Sequence, residues 1–329
     1  MPDTKANILL LGCGAVGTLA AVTLEKSERA TITAVLRSNF TAVGQKGFTI
    51  DSIDHGSLTG WRPSHIERSV QDAMTHGPFQ FIVIALKNLP DIYSIPDLIA
   101  PAITRFTTIV LIQNGIGIEQ PFVDSFPDST ILSGVSMIGA RELSSGVIRH
   151  DNPDILHLGP IYNTTTTRKT EDELAASFAS LYRAGGASCL LTNDITCMRW
   201  KKLVWNASFN SVCAITGLDS GAIMDAGGVE TIIRPVMDEI VTIATASGCT
   251  LPDGIQQRTI DSMPREINFR PSMLVDVDRG NPIEVEAIVG NPLRIAQELG
   301  CEVPLLRMIY ECLKLIQWRI VRDKSLAVS

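Results

Sequence analysis

Several of the usual chemical signposts are missing from this chain. Its seven cysteines (Cys13, Cys189, Cys197, Cys213, Cys249, Cys301, Cys312) include no CxxC pair. Their odd number and apolar neighbours predict reduced, mostly buried thiols in a cytosolic (cytoplasmic) protein. The five histidines are dispersed without HxxH or HxxxH spacing, so no metal site is expected. No stretch approaches 18 uninterrupted apolar residues, which argues against a membrane span. The opening MPDTKANILLLGCG carries Asp3 and enters a short apolar run, a pattern unlike a signal peptide or an arginine-rich leader. Charged residues supply only 19% of the chain against 45% apolar, the balance of a globular protein with a large core. A net charge of −7 disfavours general binding to nucleic acid or to an anionic membrane. No internal repeat is present.

What the chain does contain is an ordered alternation. The runs NILLLG (7–12), TITAVL (31–36), FIVIAL (81–86), TIVLIQ (108–113) and ILSGVSMIGA (131–140) are nearly continuous in Val, Ile and Leu. That pattern suits strands buried on both faces of a parallel sheet. Helix-length segments such as 15–27 and 91–104 lie between them, predicting an α/β, doubly wound Rossmann domain with a mostly parallel sheet. SSGVIRHDNPDILHLGP (144–160) reads as a hairpin turning at Asn-Pro-Asp. The polar run 162–173 reads as a surface loop leading into a helix capped near Thr170, and 188–194 as a last strand. Beyond it the periodicity is helical, over about 194–215, 229–247, 253–269, 282–299 and 304–321. Four stretches break it: SGAIMDAGG, SGCTLPDG, FRPSMLVDVDRGNP and GCEVP. The predicted organisation is a Rossmann domain over 1–192 and an all-α domain over 193–329. The long apolar C-terminal helices permit a homodimer without requiring one.

The first motif with chemical content is Gly12-x-Gly14-x-x-Gly17, directly after a strand and directly before a helix. Gly12 permits a tight turn, Gly14 close approach of a pyrophosphate, and Gly17 close helix–strand packing. With Cys13, Ala15 and Val16 these residues form a dinucleotide cradle at a helix N-terminus, whose N–H groups favour phosphate. NAD sites usually end the second strand with an acid that binds the ribose 2′-hydroxyl. Here that strand ends AVLRSN, and the Arg37 guanidinium suits the 2′-phosphate of NADP(H). Ser38 and Asn39 could add hydrogen bonds. IALKN and IQNG end the next two strands and place Lys87 and Asn114 on the cofactor side, although Asn-Gly also makes a favourable turn and Lys87 an ordinary strand-end charge.

The second motif is RWKKLVWNASFNSVCAIT (199–216). Trp200, Leu203, Val204, Phe209, Val212 and Ile215 mark a buried helix. Lys202, Asn206 and Asn210 recur at every fourth position, which on an α-helix keeps them within roughly 80° of one another. A buried amide without partners costs about 1–3 kcal/mol, so such a stripe needs a reason.

LGCGAVG, the arginine after the second strand, LKN, QNG, WKKLVWNASFN and finally SMLVDVDRGNPIEVEAIVG (272–290) occur in one order over most of the chain. In this the sequence resembles the ketopantoate reductase (2-dehydropantoate 2-reductase) family. The resemblance implies a helical second domain like that of the 6-phosphogluconate dehydrogenase group and NADPH-dependent reduction of a 2-oxo acid in pantothenate biosynthesis. It implies Lys202 as catalytic general acid and Glu284 as acceptor of a substrate hydroxyl. Asn206, Asn210 and Ser272 become substrate contacts. From pattern alone Asn281, Pro282 and Glu284 also fit N-cap, N1 and N3 of a helix, which would make the glutamate a capping-box partner. Glu286 is expected to point away from the site. The chain departs from the family pattern at Ser220, where an asparagine is frequent, and at Ile138, near a frequent histidine. Two rivals follow: a reductase of another branched 2-oxo acid such as 2-oxoisovalerate, and a non-catalytic NADP(H)-sensing protein.

Overall fold

The structure is a computed structural model that describes residues 5–162 and 166–328. Asp3, and residues 163–165 of the polar run, lie outside the described residues. The chain divides into two compact units. One comprises Met1–Lys87, Ser94–Gln113 and Glu119–Ile195; the other comprises Asn88–Tyr93, Asn114–Ile118 and Thr196–Ser329.

The first unit contains β1 (Ala6–Leu11), α1 (Ala15–Lys26), β2 (Ala30–Val35), α2 (Phe40–Lys46), β3 (Phe48–Ser52), β4 (Gly56–Trp61), β5 (His65–Glu67) and α3 (Val70–Ala73). It continues through β6 (Phe81–Ile84), α4 (Ile95–Ile99), β7 (Thr108–Leu111), α5 (Gln120–Ser125), β8 (Ile131–Ser144), β9 (Val147–Ile161), α6 (Arg168–Ala184) and β10 (Ser188–Leu191). The strands form one sheet in the order β4-β3-β9-β8-β7-β6-β1-β2-β5, with β10 beside β9. From β8 to β5 every pairing is parallel. Every residue of β6 and β7 is buried, as expected for strands covered on both faces. The chain leaves β1 towards β2 on one side and returns to its other side as β6. The ends of β1 and β6 therefore flank the topological switch point, where open α/β sheets bind ligands.

Two expectations are corrected in this unit. The hairpin does not turn at Asn-Pro-Asp: β8 ends at Ser144, the turn falls at Gly146 (φ +78°), and β9 runs straight through residues 152–154. The sheet accommodates the proline because the β8–β9 register slips between Met137 and Ala140, so that Pro153 has no ladder partner there. Gly139, opposite Asn152, supplies the room; a Cβ on it would lie 2.7 Å from Asn152 Nδ2. In addition β3, β4 and β5, too short or too polar for a buried-strand pattern, widen the sheet at both edges.

The second unit is helical: α7 (Ile195–Trp205), α8 (Ser211–Thr216), α9 (Ser220–Asp225), α10 (Arg234–Ala246), α11 (Ile255–Asp261), α12 (Ser272–Asp278), α13 (Asn291–Glu298) and α14 (Pro304–Val328). Its core gathers Trp200, Leu203, Phe209, Ile240, Leu274, Ile288 and Leu313. Two stretches read as breaks hold helices of their own, α9 and α12. Among the described residues, three helices carry a π-helical turn, at Asn206–Asn210, Val229–Ile233 and Glu286–Gly290. The expectation of wholly reduced cysteines also fails, since Cys197 on α7 and Cys249 beyond α10 form a disulfide. Their Cα atoms stand 5.4 Å apart, a distance 52 residues of chain separation could not reveal.

Candidate active site

In the first unit the glycine turn has the geometry its spacing calls for. Gly12 sits at φ +94°, and a Cβ there would lie 2.5 Å from Leu86 N, so only glycine lets this turn touch the chain leaving β6. A Cβ on Gly17 would collide with the Gly12 carbonyl oxygen. Gly14 is the contrary case: a Cβ there would meet nothing within 4 Å, which leaves the start of α1 open to approach. Gly14 is the N-cap of α1 and offers no side-chain acceptor, and the first-turn N–H groups at Ala15 and Val16 lack intrahelical partners as at any helix start. Cys13 is buried, and its carbonyl accepts from Thr18 Oγ1 (3.2 Å) and from Asn39 Nδ2 (2.8 Å). Asn39 thereby helps to hold the turn. Burial, aided by Glu142, pushes the Cys13 thiol far above its ordinary value, so it is an inert wall. Arg37 is exposed two residues past the end of β2, and Lys87 is half-buried three residues past the end of β6. An open glycine turn, a helix N-terminus and a cation beyond β2 suit a nicotinamide dinucleotide.

In the second unit Lys202 lies near the end of α7, half-buried, with Asn206 and Asn210 buried just after it. The helix does not run on as a regular α-helix. From Asn206 to Asn210 it widens into a π turn, a distortion frequent at functional sites. The even four-residue stripe expected of an α-helix is therefore broken at the second asparagine, and the amides have different surroundings. The Asn210 side-chain oxygen Oδ1 accepts from Met273 N (2.8 Å), and its Nδ2 donates to Ser272 Oγ (3.3 Å). Asn210 thus closes the first turn of α12 and holds Ser272. The Asn206 amide makes no hydrogen bond among the described residues, and only its backbone oxygen accepts, from Ser211 Oγ (3.3 Å). Burial first, and then the like charge of Arg199, lower the Lys202 ammonium against the opposing Glu284 carboxylate, from its usual 10.5 to about 8 in all.

Glu284 does not serve a capping box. The helical turn begins only at Val285, so Asn281 and Pro282 lie outside it, and Asn281 N donates to Asp276 O (2.7 Å). The buried Glu284 carboxylate instead accepts from Asn88 N (2.8 Å), which belongs to this same unit. Asn114 falls in this unit as well, at the start of Asn114–Ile118. That segment is clasped from two sides. Ile116 N donates to Ala287 O (3.1 Å), and Asn291 Nδ2 donates to Ile116 O (2.7 Å). A Cβ on Gly115 (φ +104°) would lie 2.6 Å from Ala287 O, so the segment fits against residues 286–290 only with glycine there. Glu286 faces elsewhere, accepting from Tyr310 OH (2.7 Å) and pairing with Arg294 (2.9 Å). One residue of this neighbourhood escapes pattern reading. Arg199 is 3% exposed, and its Nη1 donates to Gly115 O (3.1 Å). Only a charge inside an apolar helix hinted at it.

The comparisons agree with this layout. The family model described as Ketopantoate reductase PanE/ApbA matches residues 8–163, and its C-terminal counterpart matches residues 194–317. Uncharacterized protein YDL144C of Saccharomyces cerevisiae is 31% identical over 98% of this chain and 96% of its own length. A 2-dehydropantoate 2-reductase of Nostoc sp. is 28% identical over 94% and 95% of the two chains. The crystal structure of 2-dehydropantoate 2-reductase from Methylococcus capsulatus is 32% identical, with a TM-score of 0.80 over 95% of this chain and 97% of that one. The fold, the two matched segments and these relatives together place the chain in the ketopantoate reductase family, whose Rossmann-type reductases work with a nicotinamide cofactor.

Proposed function

We propose that this protein reduces 2-dehydropantoate to (R)-pantoate at the expense of NADPH, with Lys202 as the general acid, a step on the route to pantothenate. One observation carries the reading: the only lysine of the helix segment 195–216 that is withdrawn from solvent sits one turn before a buried, uncommitted amide, and its ammonium is brought to about 8.

The site would hold the cofactor through Gly12, Cys13, Gly14, Ala15, Val16 and Gly17 around the pyrophosphate and Arg37 at the 2′-phosphate, with Lys87 and Asn114 as further contacts. When bound, the reduced nicotinamide supplies the hydride. Lys202 meets the negative charge that develops on the substrate carbonyl oxygen and donates its proton there. A lysine at about 8 is still mostly charged at neutral pH, yet gives up its proton far more readily than one at 10.5. Glu284 keeps that lysine charged and accepts a hydrogen bond from the substrate's primary hydroxyl. Ser272, fixed by Asn210, binds the substrate carboxylate, and Asn206 offers its amide to the same molecule.

The test is NADPH oxidation over a panel of 2-oxo acids, repeated with NADH. Preference for 2-dehydropantoate with NADPH is the expected result. Higher kcat/KM with 2-oxoisovalerate would replace the substrate, since that acid lacks the hydroxyl assigned to Glu284. No oxidation with any member would leave a non-catalytic NADP(H)-binding protein.

A further inference from the structure

Arginine is costly to bury unless its charge and its donors are used. Arg199 is 3% exposed and lies on α7 three residues before Lys202, hence on the same side of the helix about one turn away. Its Nη1 donates to the carbonyl of Gly115, inside the segment Asn114–Ile118. That segment is in turn bonded to Ala287, on the turn that follows Glu284, and to Asn291 at the start of α13. Lys202 and Glu284 stand 82 positions apart in the sequence on two different helical segments, and the path Arg199–Gly115–Ile116–Ala287 links those segments through hydrogen bonds and close packing.

We infer that Arg199 is a positioning residue for the proposed proton donor: it braces the Lys202 helix against the Asn114–Ile118 segment and presents a second positive charge to Lys202. The inference rests on the reading of Lys202 as the acid. The hydrogen bond fixes where the ammonium sits. The charge favours its neutral form, which makes proton donation easier, while Glu284 acts in the opposite sense. Among the described residues, Arg199 and Glu284 are the charged groups that shift Lys202, and they come from separate elements.

Two variants separate the two tasks. Arg199→Gln keeps a donor for Gly115 O and removes the charge. Arg199→Lys keeps the charge and loses the planar fork that reaches the carbonyl. The readout is the pH profile of kcat for NADPH-dependent reduction of 2-dehydropantoate, whose high-pH limb reports the acid. Arg199→Gln is expected to move that limb upward by about half a unit to one unit. Arg199→Lys is expected to leave the limb in place and to lower kcat about tenfold or more, with the KM for NADPH little changed. An unmoved limb in Arg199→Gln together with an undiminished kcat in Arg199→Lys overturns the inference. So does loss of the cooperative unfolding transition in both variants, which would make Arg199 a stability residue. A wild-type profile with no limb at all would instead refute Lys202 as the acid, a separate failure.

Discussion

Replacing Glu284 by glutamine tests the electrostatics of the site with little change of shape. The side-chain amide oxygen introduced by Glu284→Gln can still accept from Asn88 N, which lies 2.8 Å from the carboxylate, so the backbone held there keeps its partner. What vanishes is the negative charge that sustains the Lys202 ammonium against burial and Arg199. A partly buried opposite charge is worth about one to three pKa units, and the low end suits a lysine that keeps some solvent. The wild-type acid at about 8 then falls to about 7. At pH 8 the protonated fraction drops from about one half to about one tenth, a fivefold loss in kcat; at pH 6 both forms are nearly fully protonated and the loss disappears. The sign is specific: an acid limb that moves to lower pH when a carboxylate is neutralised. Stopped-flow turnover from pH 6 to 9 with saturating 2-dehydropantoate and NADPH reads it directly. An unmoved limb, or one displaced to higher pH, would refute the coupling of Glu284 to Lys202.

Other perturbations reach the remaining assignments. Lys202→Ala should lower kcat by about 10²–10⁴-fold while the NADPH dissociation constant, measured by fluorescence, stays within twofold. Arg37→Ala should raise the KM for NADPH at least tenfold and leave that for NADH nearly unchanged, since only the former carries the 2′-phosphate. Reducing Cys197–Cys249, which spans 52 residues, should cost up to about 4 kcal/mol of stability by loop entropy, seen as a lower denaturant midpoint with dithiothreitol than without; equal midpoints would contradict it. His55 is buried against Thr23 Oγ1 (3.0 Å), and burial together with Lys26 lowers it from 6.5 to about 4. The unfolded chain therefore binds the proton first, and stability falls as pH drops from 6.5 towards 4, by up to about 3 kcal/mol. His55→Asn should flatten that part of the curve, and a slope identical to wild type would exclude His55 as its source.

Local chemistry made much of the architecture readable. Buried strands 81–84 and 108–111 announce themselves because a two-sided sheet leaves them no polar face. Gly12 and Gly17 stand where a Cβ would strike backbone, and Gly14 where a helix starts in open space, all within one turn of chain. The edge strands 56–61 and 65–67 are not readable, because their residues are exposed or only partly buried and carry no continuous apolar signal. Asn-Pro-Asp reads locally as a turn, yet a register slip opposite Gly139 lets a strand pass through it.

The helical unit shows the same limit more sharply. Spacing put Lys202, Asn206 and Asn210 on one helix, and it assigned Glu284 equally well to a capping box. Periodicity assumes an ideal α-helix, so it does not foresee the π turn that separates the roles of the two asparagines. Nor does it foresee that Glu284 serves Asn88, nearly two hundred residues away, or that Arg199 reaches Gly115. Sequence alone determined the layers, the glycine turn and the helix that bears the lysine, because each follows from neighbours within a few residues. Tertiary structure decided which buried polar groups share an electrostatic field, because their partners come from segments that touch only when the chain is folded.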